Sequence, residues 1–597
     1  MTALRPPDGQ APGPRPTEPR LTAPTAEHPI DTAQPSTDRR PTTAGARTTG
    51  ARIPAQSGAA PAGGLAGPRP RRALLALPPL FALLFGLWGI TRQGTLWRDE
   101  AVTVDLGQRS LSSLLATLEH YDVVHGFYYL FMHGVFALFG DSLLALRLPS
   151  VLAITAATAG VALLGHRLAG LRAGLLAGGV FVLLPLVQWH AQEGRSYALV
   201  CALVVWATWI FVRALDRPAL DARARLLWCA YALLALTACL LHEFAVLAVL
   251  AHAVTLWRSN APRPMRRAWL VASACVVVGL APLAVFSVGQ SALVDWISGP
   301  QPGVLIAYGI GAVLGFTRAA VPVRPRSGPA PSFPSARRRL ARSLKLFEQG
   351  RETSAAPQRA QGPPSGRTTG NSAQAPGPVT LQGLALPLML LPTVLLLALS
   401  PVKALFVDRY VLYGMAGLAL LAGAALERAW QAATRHPAKH RRHALAAGAS
   451  LVALVALVPV GLMVRSPESR VDNMTAIADE VRKVAKPGDG LLFMPARRRI
   501  WAADEPEAFR GLRDLALAQT PDASRSLYGV EHPVEDLPAE LRTAERIVAL
   551  QDPAGDPLDR TPEEKAKREV LQDSFEECGA TEVQGARVAV YARPGKC

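Results

Sequence analysis

The sequence predicts an α-helical polytopic membrane protein with a small α/β domain at its C-terminus. Half of the 597 residues are hydrophobic, although the chain also holds 49 glycines and 50 prolines. Several apolar runs reach the roughly 20 residues that cross a bilayer core. After about residue 471 these runs give way to short alternating segments typical of helices and strands in a water-exposed domain.

The first 70 residues predict a disordered cytoplasmic segment. They are rich in Pro, Thr, Ala, Gly and Arg, with few large apolar side chains, and such a segment buries too little surface to offset its ordering entropy. Arg69, Arg71 and Arg72 precede the first apolar run, near 73–90. Because Lys and Arg collect on the cytoplasmic side of membrane helices, these residues place the N-terminus in the cytoplasm.

Loop charge predicts how many apolar runs cross the membrane. Twelve runs lie near 73–90, 127–140, 148–165, 173–188, 197–214, 226–241, 243–257, 268–288, 303–317, 381–400, 409–426 and 445–464. Five basic loops fall on the cytoplasmic side only if one run before residue 166 does not cross. The run 127–140 is short, which favours a re-entrant or interfacial segment. We therefore expect about eleven crossings, with twelve crossings that break the charge rule as the alternative.

The net charge of +18 is accounted for by these basic loops. No basic patch interleaved with aromatic residues indicates a nucleic-acid partner. The predicted location is the cell membrane, with the bilayer as a partner of the multi-pass helices. In this topology the C-terminus and the acidic and histidine residues of the loops lie on the extracytoplasmic face.

The loop 95–129, predicted to be extracytoplasmic, carries two polar clusters. Asp99 and Glu100 form an acidic pair just beyond the first helix. One of these carboxylates could act as a general base, or both could simply favour the first turn of a helix. Asp122 and His125 precede an aromatic run. They suit acceptor positioning or metal ligation, and equally an N-cap beside interfacial aromatic residues.

Two further polar groups fall at predicted helix junctions. Glu193 and Arg195 precede Tyr197, and ionisable residues near the membrane are often functional, although a local Glu–Arg pair is an alternative. His242 and Glu243 interrupt two apolar runs. They indicate either a tight external turn or a buried polar site, and the turn is the preferred interpretation.

A third junction carries cationic side chains. Lys403 and Arg409 precede a predicted crossing, where a cationic side chain could hold a lipid phosphate. The alternative is ordinary snorkelling of a long side chain towards the interface.

Two regions outside the helices have distinct composition. Residues 321–380 are rich in Pro, Ser, Arg and Gln and predict a disordered cytoplasmic insert. Its basic stretch 336–347 is best interpreted as a positive topology anchor, although a binding helix is an alternative. Residues 466–597 predict an extracytoplasmic α/β accessory domain without a phosphate-binding glycine loop. Cys578 and Cys597 lie in it and could pair in an oxidising compartment.

Five blocks, taken in order, resemble the membrane glycosyltransferases of the GT-C fold. The blocks are LWRDEAVTV (96–104), DVVHGFYYLFMHGVFALFGDSLLALRLPSVLA (122–153), QWHAQEGRSYAL (188–199), LLHEFAVL (240–247) and PVKALFVDRYVLYG (401–414). The likeness is greatest to bacterial family 39-like mannosyltransferases, relatives of protein O-mannosyltransferases and of the lipid A aminoarabinose transferase. It covers about 72–465. The chain departs from the family at 125–127, which read His-Gly-Phe where the family often has His-Pro-Pro.

The resemblance implies an inverting enzyme that takes a sugar, mannose by preference, from a polyprenyl-phosphate donor. The acceptor would be a hydroxyl of a glycan, protein or lipid on the extracytoplasmic face. Asp99 would be the general base and Glu100 would support it. A divalent metal is a candidate cofactor, with Glu100, His125 and Glu193 as candidate ligands.

The resemblance also implies a set of substrate-binding residues. Arg195, Lys403 and Arg409 would hold the donor phosphate. The other substrate-binding candidates are Asp122, His125, Glu193, Tyr197 and His242.

Two other classes of protein are weighed against this interpretation. A transporter or flippase for a lipid-linked or small solute predicts charges near helix midplanes and an internal repeat. The sequence has its charges at helix ends and no such repeat. A structural scaffold that uses the C-terminal domain for partners leaves the clustering of carboxylates unexplained.

Overall fold

The computed structural model describes residues 73–91, 94–290, 379–435 and 458–597, and the single positions 309, 448, 452, 455 and 456. All of them belong to one compact unit, Ala66–Cys597. The predictions for residues 1–70, for most of the insert 321–380 and for the run 303–317 lie outside the described residues, as does much of the run 445–464. The predicted domain boundaries stay predictions.

The first part of the chain is helical. Its helices are α1 (Leu77–Leu87), α2 (Arg98–Gln108), α3 (Leu111–Leu118), α4 (Gly126–Phe139), α5 (Leu143–Ala169), α6 (Leu171–Leu183), α7 (Pro185–Ala191), α8 (Tyr197–Leu215), α9 (Ala222–Leu241), α10 (Val246–Arg258), α11 (Arg263–Gly289), α12 (Leu381–Leu399) and α13 (Gly414–Arg435). Helix α5 packs against α1, α6 and α8, while α13 packs against α6 and α12. Small residues allow α5 and α6 to pack closely. A Cβ on Gly174 would lie only 2.5 Å from the carbonyl oxygen of Ala162, so a larger residue would clash there.

Five of the described helices are long and apolar enough to cross a membrane, namely α5, α8, α9, α11 and α12. The bent pair α6 and α7 could form a sixth span, and α1 and α4 are shorter apolar helices. These helices identify an integral membrane protein and confirm the predicted helical fold class. The count of about eleven crossings and the orientation of the chain stay predictions.

The run 173–188, predicted as one crossing, is broken. Helix α6 ends at Leu183 and α7 begins at Pro185, with a bend of 66° between them. The proline keeps Leu184 out of the helical region, and this residue has the extended angles φ −64° and ψ 127°. After the bend, α7 leads the chain into the polar segment 192–196.

The C-terminal part is an α/β arrangement, as predicted. Its helices are α14 (Met474–Val484), α15 (Leu537–Leu541) and α16 (Pro562–Ser574), and its strands are β1 (Gly490–Met494), β2 (Arg513–Asp514), β3 (Leu517–Gln519), β4 (Val530–Glu531), β5 (Arg546–Gln551), β6 (Glu576–Val583) and β7 (Ala586–Ala592). The larger sheet has the order β2-β1-β5-β7-β6, with the β2-β1-β5 pairs parallel and β5-β7-β6 antiparallel.

The predicted pairing of the two late cysteines is confirmed. Cys578 lies on β6 and forms a disulfide with Cys597, 19 residues later. The bond fastens the last residues of the chain to the edge strand of the sheet, where a free terminus would otherwise fray.

One apolar core joins the helical and sheet parts. Leu96 and Leu118 from the loop between α1 and α4 belong to the same buried cluster as Phe493 and Trp501 of the C-terminal part. A fully buried carboxylate also joins them: Asp472 accepts hydrogen bonds from the backbone amide of Arg98 (3.0 Å) and from the indole of Trp501 (3.0 Å). The loop 95–129 is therefore held between the helices and the sheet.

Candidate active site

Helix α2 presents Asp99 at its first turn. Trp97 is extended and the helix begins at Arg98, so both acidic residues fall where the helix dipole favours negative charge. The Asp99 side chain keeps 24% of its surface exposed, and one of its oxygens lies 3.7 Å from a guanidinium nitrogen of Arg409. The helix start that the acidic pair indicated is therefore present. The Asp99 carboxylate is also exposed enough for a substrate to reach it.

Glu100 has a different environment, although it is the next residue. Its carboxylate is fully buried and accepts from Arg147 Nε at 2.9 Å and Nη2 at 2.7 Å. It also accepts from the amide of Gly194 at 2.8 Å. Arg147 in turn donates to the carbonyl oxygens of Ile90 (3.0 Å) and Thr95 (2.8 Å). Both Glu100 oxygens are thus engaged in fixing the backbone that leads into Asp99 and the backbone at Gly194.

Asp122, which keeps a quarter of its side chain exposed, pairs with the buried His125. Asp122 adopts a left-handed backbone (φ 53°) and makes no capping bond, so the N-cap alternative is wrong. Its carboxylate lies 2.8 Å from His125 Nδ1 and accepts from the hydroxyl of Tyr129. Burial opposes ionisation of Asp122, but His125 and Arg195 lower its pKa to about 2. The pairing leaves His125 Nε2 directed away from Asp122.

Arg195 and Glu193 do not form the local ion pair that the sequence left open. Glu193 pairs with His190, whereas Arg195 donates to the Tyr129 hydroxyl at 3.0 Å and to the carbonyl oxygen of Asp99 at 3.4 Å. Burial disfavours the Glu193 charge, yet His190 and more distant arginines lower its pKa to about 2. Arg195 therefore connects Asp122, through the Tyr129 hydroxyl, to the backbone of Asp99.

His242 is part of this cluster and does not lie on an exposed turn. It does connect α9 to a short 3₁₀ segment, as the turn interpretation requires, but it is 3% exposed. Its ring centroid lies 4.4 Å from that of Tyr410, 5.6 Å from that of His125 and 5.7 Å from that of Tyr197. Burial, together with the nearby His125 ring and the Arg195 guanidinium, holds the pKa of His242 well below its usual range.

Aromatic rings and guanidinium groups complete the wall beside Asp99. The Arg409 guanidinium lies 5.5 Å from the ring centroid of Tyr197 and 6.0 Å from that of Tyr410, within range of cation–π attraction. Lys403 lies on the turn after α12, half-buried, and its amide donates to the carbonyl oxygen of Leu399. Its role at a donor phosphate stays a prediction.

Several buried polar atoms of this cluster have no hydrogen-bond partner among the described residues. They are His125 Nε2, His242 Nδ1, Glu193 Oε1, the Tyr128 hydroxyl, and Nε and Nη1 of Arg470. Unsatisfied buried polar groups are rare in folded proteins and call for a ligand or ordered water. Their convergence beside Asp99 identifies this region as the candidate active site.

The predicted metal site is not assembled by the described residues. No three His, Cys, Asp or Glu side chains of that part of the chain lie close enough together to hold a metal ion. Glu100 is held by Arg147 and Gly194, and Glu193 has one oxygen on His190. Of the three candidate ligands, His125 Nε2 and Glu193 Oε1 have no hydrogen-bond partner among the described residues, whereas both Glu100 oxygens are engaged, so the three do not together form a ligand set.

The sequence did not reveal all residues of the site. Arg147 and His190 lie inside the quoted motifs, yet only the fold identifies them as the partners of Glu100 and Glu193. Tyr410 follows Arg409 and its ring packs against that of His242 at an angle of 44°. Arg470, which donates to the carbonyl oxygen of Gln192 at 2.9 Å, comes from beyond the last apolar run. No local pattern marks it.

Comparison with known proteins gives structural likeness only. No protein-family model matches the sequence, and no curated protein matches it. The chain is similar to the solved structure of ArnT from Cupriavidus metallidurans bound to undecaprenyl phosphate, at 13% identity and TM-score 0.49, over 88% of this chain and 98% of that one.

Two further solved structures are similar at lower scores. One is the archaeal oligosaccharyltransferase AglB from Archaeoglobus fulgidus, with an inhibitory peptide and a dolichol-phosphate, at 13% identity and TM-score 0.41 over 80% of this chain and 69% of that one. The other is the arabinofuranosyltransferase AftD from Mycobacteria, at 16% identity and TM-score 0.43 over 87% of this chain and 40% of that one. At these TM-scores the similarities assign neither a family nor a function to this chain.

Proposed function

We propose that this protein is a GT-C membrane glycosyltransferase that transfers a sugar from a polyprenyl-phosphate donor to an acceptor hydroxyl. The sugar is mannose and the reaction inverts the anomeric centre, as the resemblance to family 39-like mannosyltransferases implies. The reaction takes place on the extracytoplasmic face, where nucleotide sugars are absent and a lipid must carry the donor.

The observation that carries the proposal is the environment of Asp99. Its carboxylate is partly exposed and lies 3.7 Å from Arg409, at the edge of a buried cluster with unsatisfied polar atoms. A general base must reach the proton that it removes, and Asp99 meets this condition while its neighbour Glu100 is buried.

The proposed step is a single displacement. Asp99 takes the proton of the acceptor hydroxyl as the acceptor oxygen attacks C1 of the sugar. The bond between C1 and the phosphate oxygen breaks, and polyprenyl phosphate leaves with the electron pair. Attack opposite to the leaving group inverts C1. A positioned base contributes about 10²–10⁴-fold to such a reaction.

In this proposal Arg409 stabilises the leaving phosphate and Arg195 holds the turn that carries Asp99. Arg409 lies against Tyr197 and Tyr410 and near Asp99, and Arg195 is fixed by the Tyr129 hydroxyl. Guanidinium groups bind phosphate through charge-assisted hydrogen bonds. Arg409 therefore serves both the leaving phosphate and the Asp99 carboxylate, whereas Arg195 orients the Asp99 turn. Lys403 is a further candidate for the phosphate. No step is assigned to a metal ion, because Glu100, one of the three candidate ligands, is held by Arg147 and Gly194.

The extracytoplasmic orientation has its own support. Disulfides form and persist in oxidising compartments, and the C-terminal part carries the Cys578–Cys597 bond. This part is joined to the Asp99 helix through Asp472. The active site and the C-terminal part therefore share one side of the membrane in our proposal.

A transfer experiment tests the proposed function. Membranes containing the protein are incubated with radiolabelled polyprenyl-phosphomannose, and the label is followed into glycan, protein and lipid fractions. We expect the label to leave the polyprenyl carrier and to enter one of these fractions. Failure to use this donor and other polyprenyl-phosphate sugars would favour a transporter or flippase.

A further inference from the structure

The segment 467–473, which leads into the C-terminal part, buries a guanidinium group beside the candidate active site. Arg470 is 4% exposed, and its Nη2 group donates to the carbonyl oxygen of Gln192 at 2.9 Å. Its guanidinium carbon lies 5.1 Å from the ring centroid of Trp189. Its Nε and Nη1 groups have no hydrogen-bond partner among the described residues. Burial of an incompletely paired cation is costly, so this residue calls for an explanation beyond packing.

The carboxylate that gains from this guanidinium is Glu193, the residue after Gln192. Glu193 is buried, its Oε1 has no hydrogen-bond partner among the described residues, and its Oε2 pairs with His190, which is charged only when protonated. Burial disfavours the Glu193 charge, but His190 and then Arg470 lower its pKa to about 2. Because a guanidinium stays charged at every working pH, Arg470 is a permanent positive neighbour of this carboxylate.

The segment 192–195 is bonded directly to the helix that carries Asp99. The amide of Gly194 donates to the Glu100 carboxylate at 2.8 Å. The Arg195 side chain donates to the carbonyl oxygen of Asp99 at 3.4 Å. A shift of the segment 192–195 would therefore move the first turn of α2.

The turn between β6 and β7 holds Arg470 in place from the other side. The Gln584 side chain in this turn donates to the carbonyl oxygen of Arg470 at 2.6 Å. Gly585 follows with φ 82°, and a Cβ there would lie 2.5 Å from the carbonyl oxygen of Val471. The C-terminal sheet therefore fixes where the guanidinium lies.

We propose that Arg470 is a positioning residue of the active site, which holds the segment 192–195 and the charged Glu193 in the geometry that Asp99 needs. The proposal rests on the proposed function and adds a residue of the C-terminal part to the same active site. Arg470 acts through Gln192 and Glu193 and not by contact with a substrate. Docking of the C-terminal sheet is then a condition for transfer as well as for stability.

Three variants of the full-length protein and one control test the inference. Arg470→Gln removes the positive charge, whereas Arg470→Lys keeps the charge and one donor. Gln584→Ala loosens the segment 467–473 from outside the active site. Arg560→Gln changes an exposed arginine of the C-terminal part and serves as the control.

The first readout is the kinetics of transfer from polyprenyl-phosphomannose. We expect Arg470→Gln to lower kcat about 10- to 100-fold at an unchanged KM, because it misplaces the base without removing a substrate contact. Gln584→Ala should lower kcat about 3- to 10-fold. Arg470→Lys should recover most of the loss, and Arg560→Gln should match wild type.

The second readout is hydrogen exchange of the purified protein in detergent, which needs no transfer. Amides of the segment 192–195 should exchange about 10-fold faster in Arg470→Gln than in wild type. Their rates should return close to wild type in Arg470→Lys and stay unchanged in Arg560→Gln. The amides of α16 should keep their wild-type rates in every variant.

Several outcomes would overturn the inference. These are a wild-type kcat or wild-type exchange of the segment 192–195 in Arg470→Gln, a raised KM at unchanged kcat, and a loss that Arg470→Lys does not recover. If Arg470→Gln does not fold, Gln584→Ala decides, and wild-type kcat and exchange in that variant overturn the inference. Absence of transfer by wild type overturns the proposed function, whereas the exchange rates still test the positioning by Arg470.

Discussion

Asp99 and Glu100 are neighbours in the sequence but have opposite environments in the structure. Asp99 keeps about a quarter of its side chain exposed, whereas Glu100 is fully buried on Arg147. The sequence could identify the acidic pair and its place at a helix start. It could not identify which of the two carboxylates is exposed, because Arg147 lies 47 residues away and only the packing of α5 brings it to Glu100.

We expect Glu100→Gln to act mainly on stability. The substitution leaves Arg147 buried without its ionic partner, which costs about 3–5 kcal/mol. Unfolding of the purified protein in detergent measures the loss, with Glu119→Gln on the surface of the same loop as control. An unchanged stability with abolished transfer would instead make Glu100 a catalytic group.

The buried His242 side chain should make the free energy of unfolding depend on pH. Burial and neighbouring positive charges lower its folded-state pKa, so protonation favours the unfolded chain. Stability from this group is complete above its unfolded pKa of about 6.5 and falls as the pH drops below that value, by about 1 kcal/mol between pH 6.5 and 5.5. Between pH 6.5 and 5.5, His242→Gln should therefore lose about 1 kcal/mol less free energy of unfolding than wild type. Unfolding of both proteins at the two pH values measures this difference. Identical acid losses in both proteins would contradict the assigned neutral state.

At the scale of elements, the start of α2 depends on a residue far along the chain. Asp472 lies 374 positions after Arg98 and accepts its amide hydrogen. The sequence predicts most of the membrane helices from their apolar runs, and it predicts short helices and strands after about residue 471. It cannot predict this bond, since nothing local connects Asp472 to a helix in another part of the chain. Within the predicted loop 95–129 the acidic pair indicated a helix start as one alternative, which α2 bears out, whereas α3 was not predicted.

The substitution Asp472→Asn tests this connection. The amide can still accept from Arg98, but its NH₂ group faces the indole N–H of Trp501, so two donors meet in a buried place. We expect a loss of about 1–3 kcal/mol, measured by unfolding in detergent. Adding Trp501→Phe should cost less in this background than in wild type, because it removes one of the two donors. Strict additivity of the two changes would show that the Asp472–Trp501 bond is absent.

At the scale of the whole molecule, the charges of the loops predict the membrane topology, and the topology decides which side of the membrane the active site faces. Apolar runs and basic loops predict an odd number of crossings, with the N-terminus in the cytoplasm and the C-terminal part outside. The structure describes five helices that are long enough to cross, or six with the bent pair. Side-chain packing does not encode the direction of insertion, so orientation needs a separate measurement.

Reporter fusions provide that measurement. Alkaline phosphatase fused after Cys597 should be active, because it folds only in an oxidising compartment. The same reporter inserted at Gly170, between α5 and α6, should be inactive. An inactive C-terminal fusion would favour twelve crossings and place the disulfide-bearing part in the cytoplasm.

The measurement that tests the central claim most directly compares wild type with Asp99→Asn in the transfer of radiolabelled mannose from polyprenyl-phosphomannose. Asn has nearly the same shape but cannot take a proton from the acceptor. The account predicts at least about a 100-fold loss of transfer, with expression and stability unchanged and with Asp573→Asn on the surface of α16 as an active control. Full transfer by Asp99→Asn would contradict the account and remove Asp99 from the mechanism.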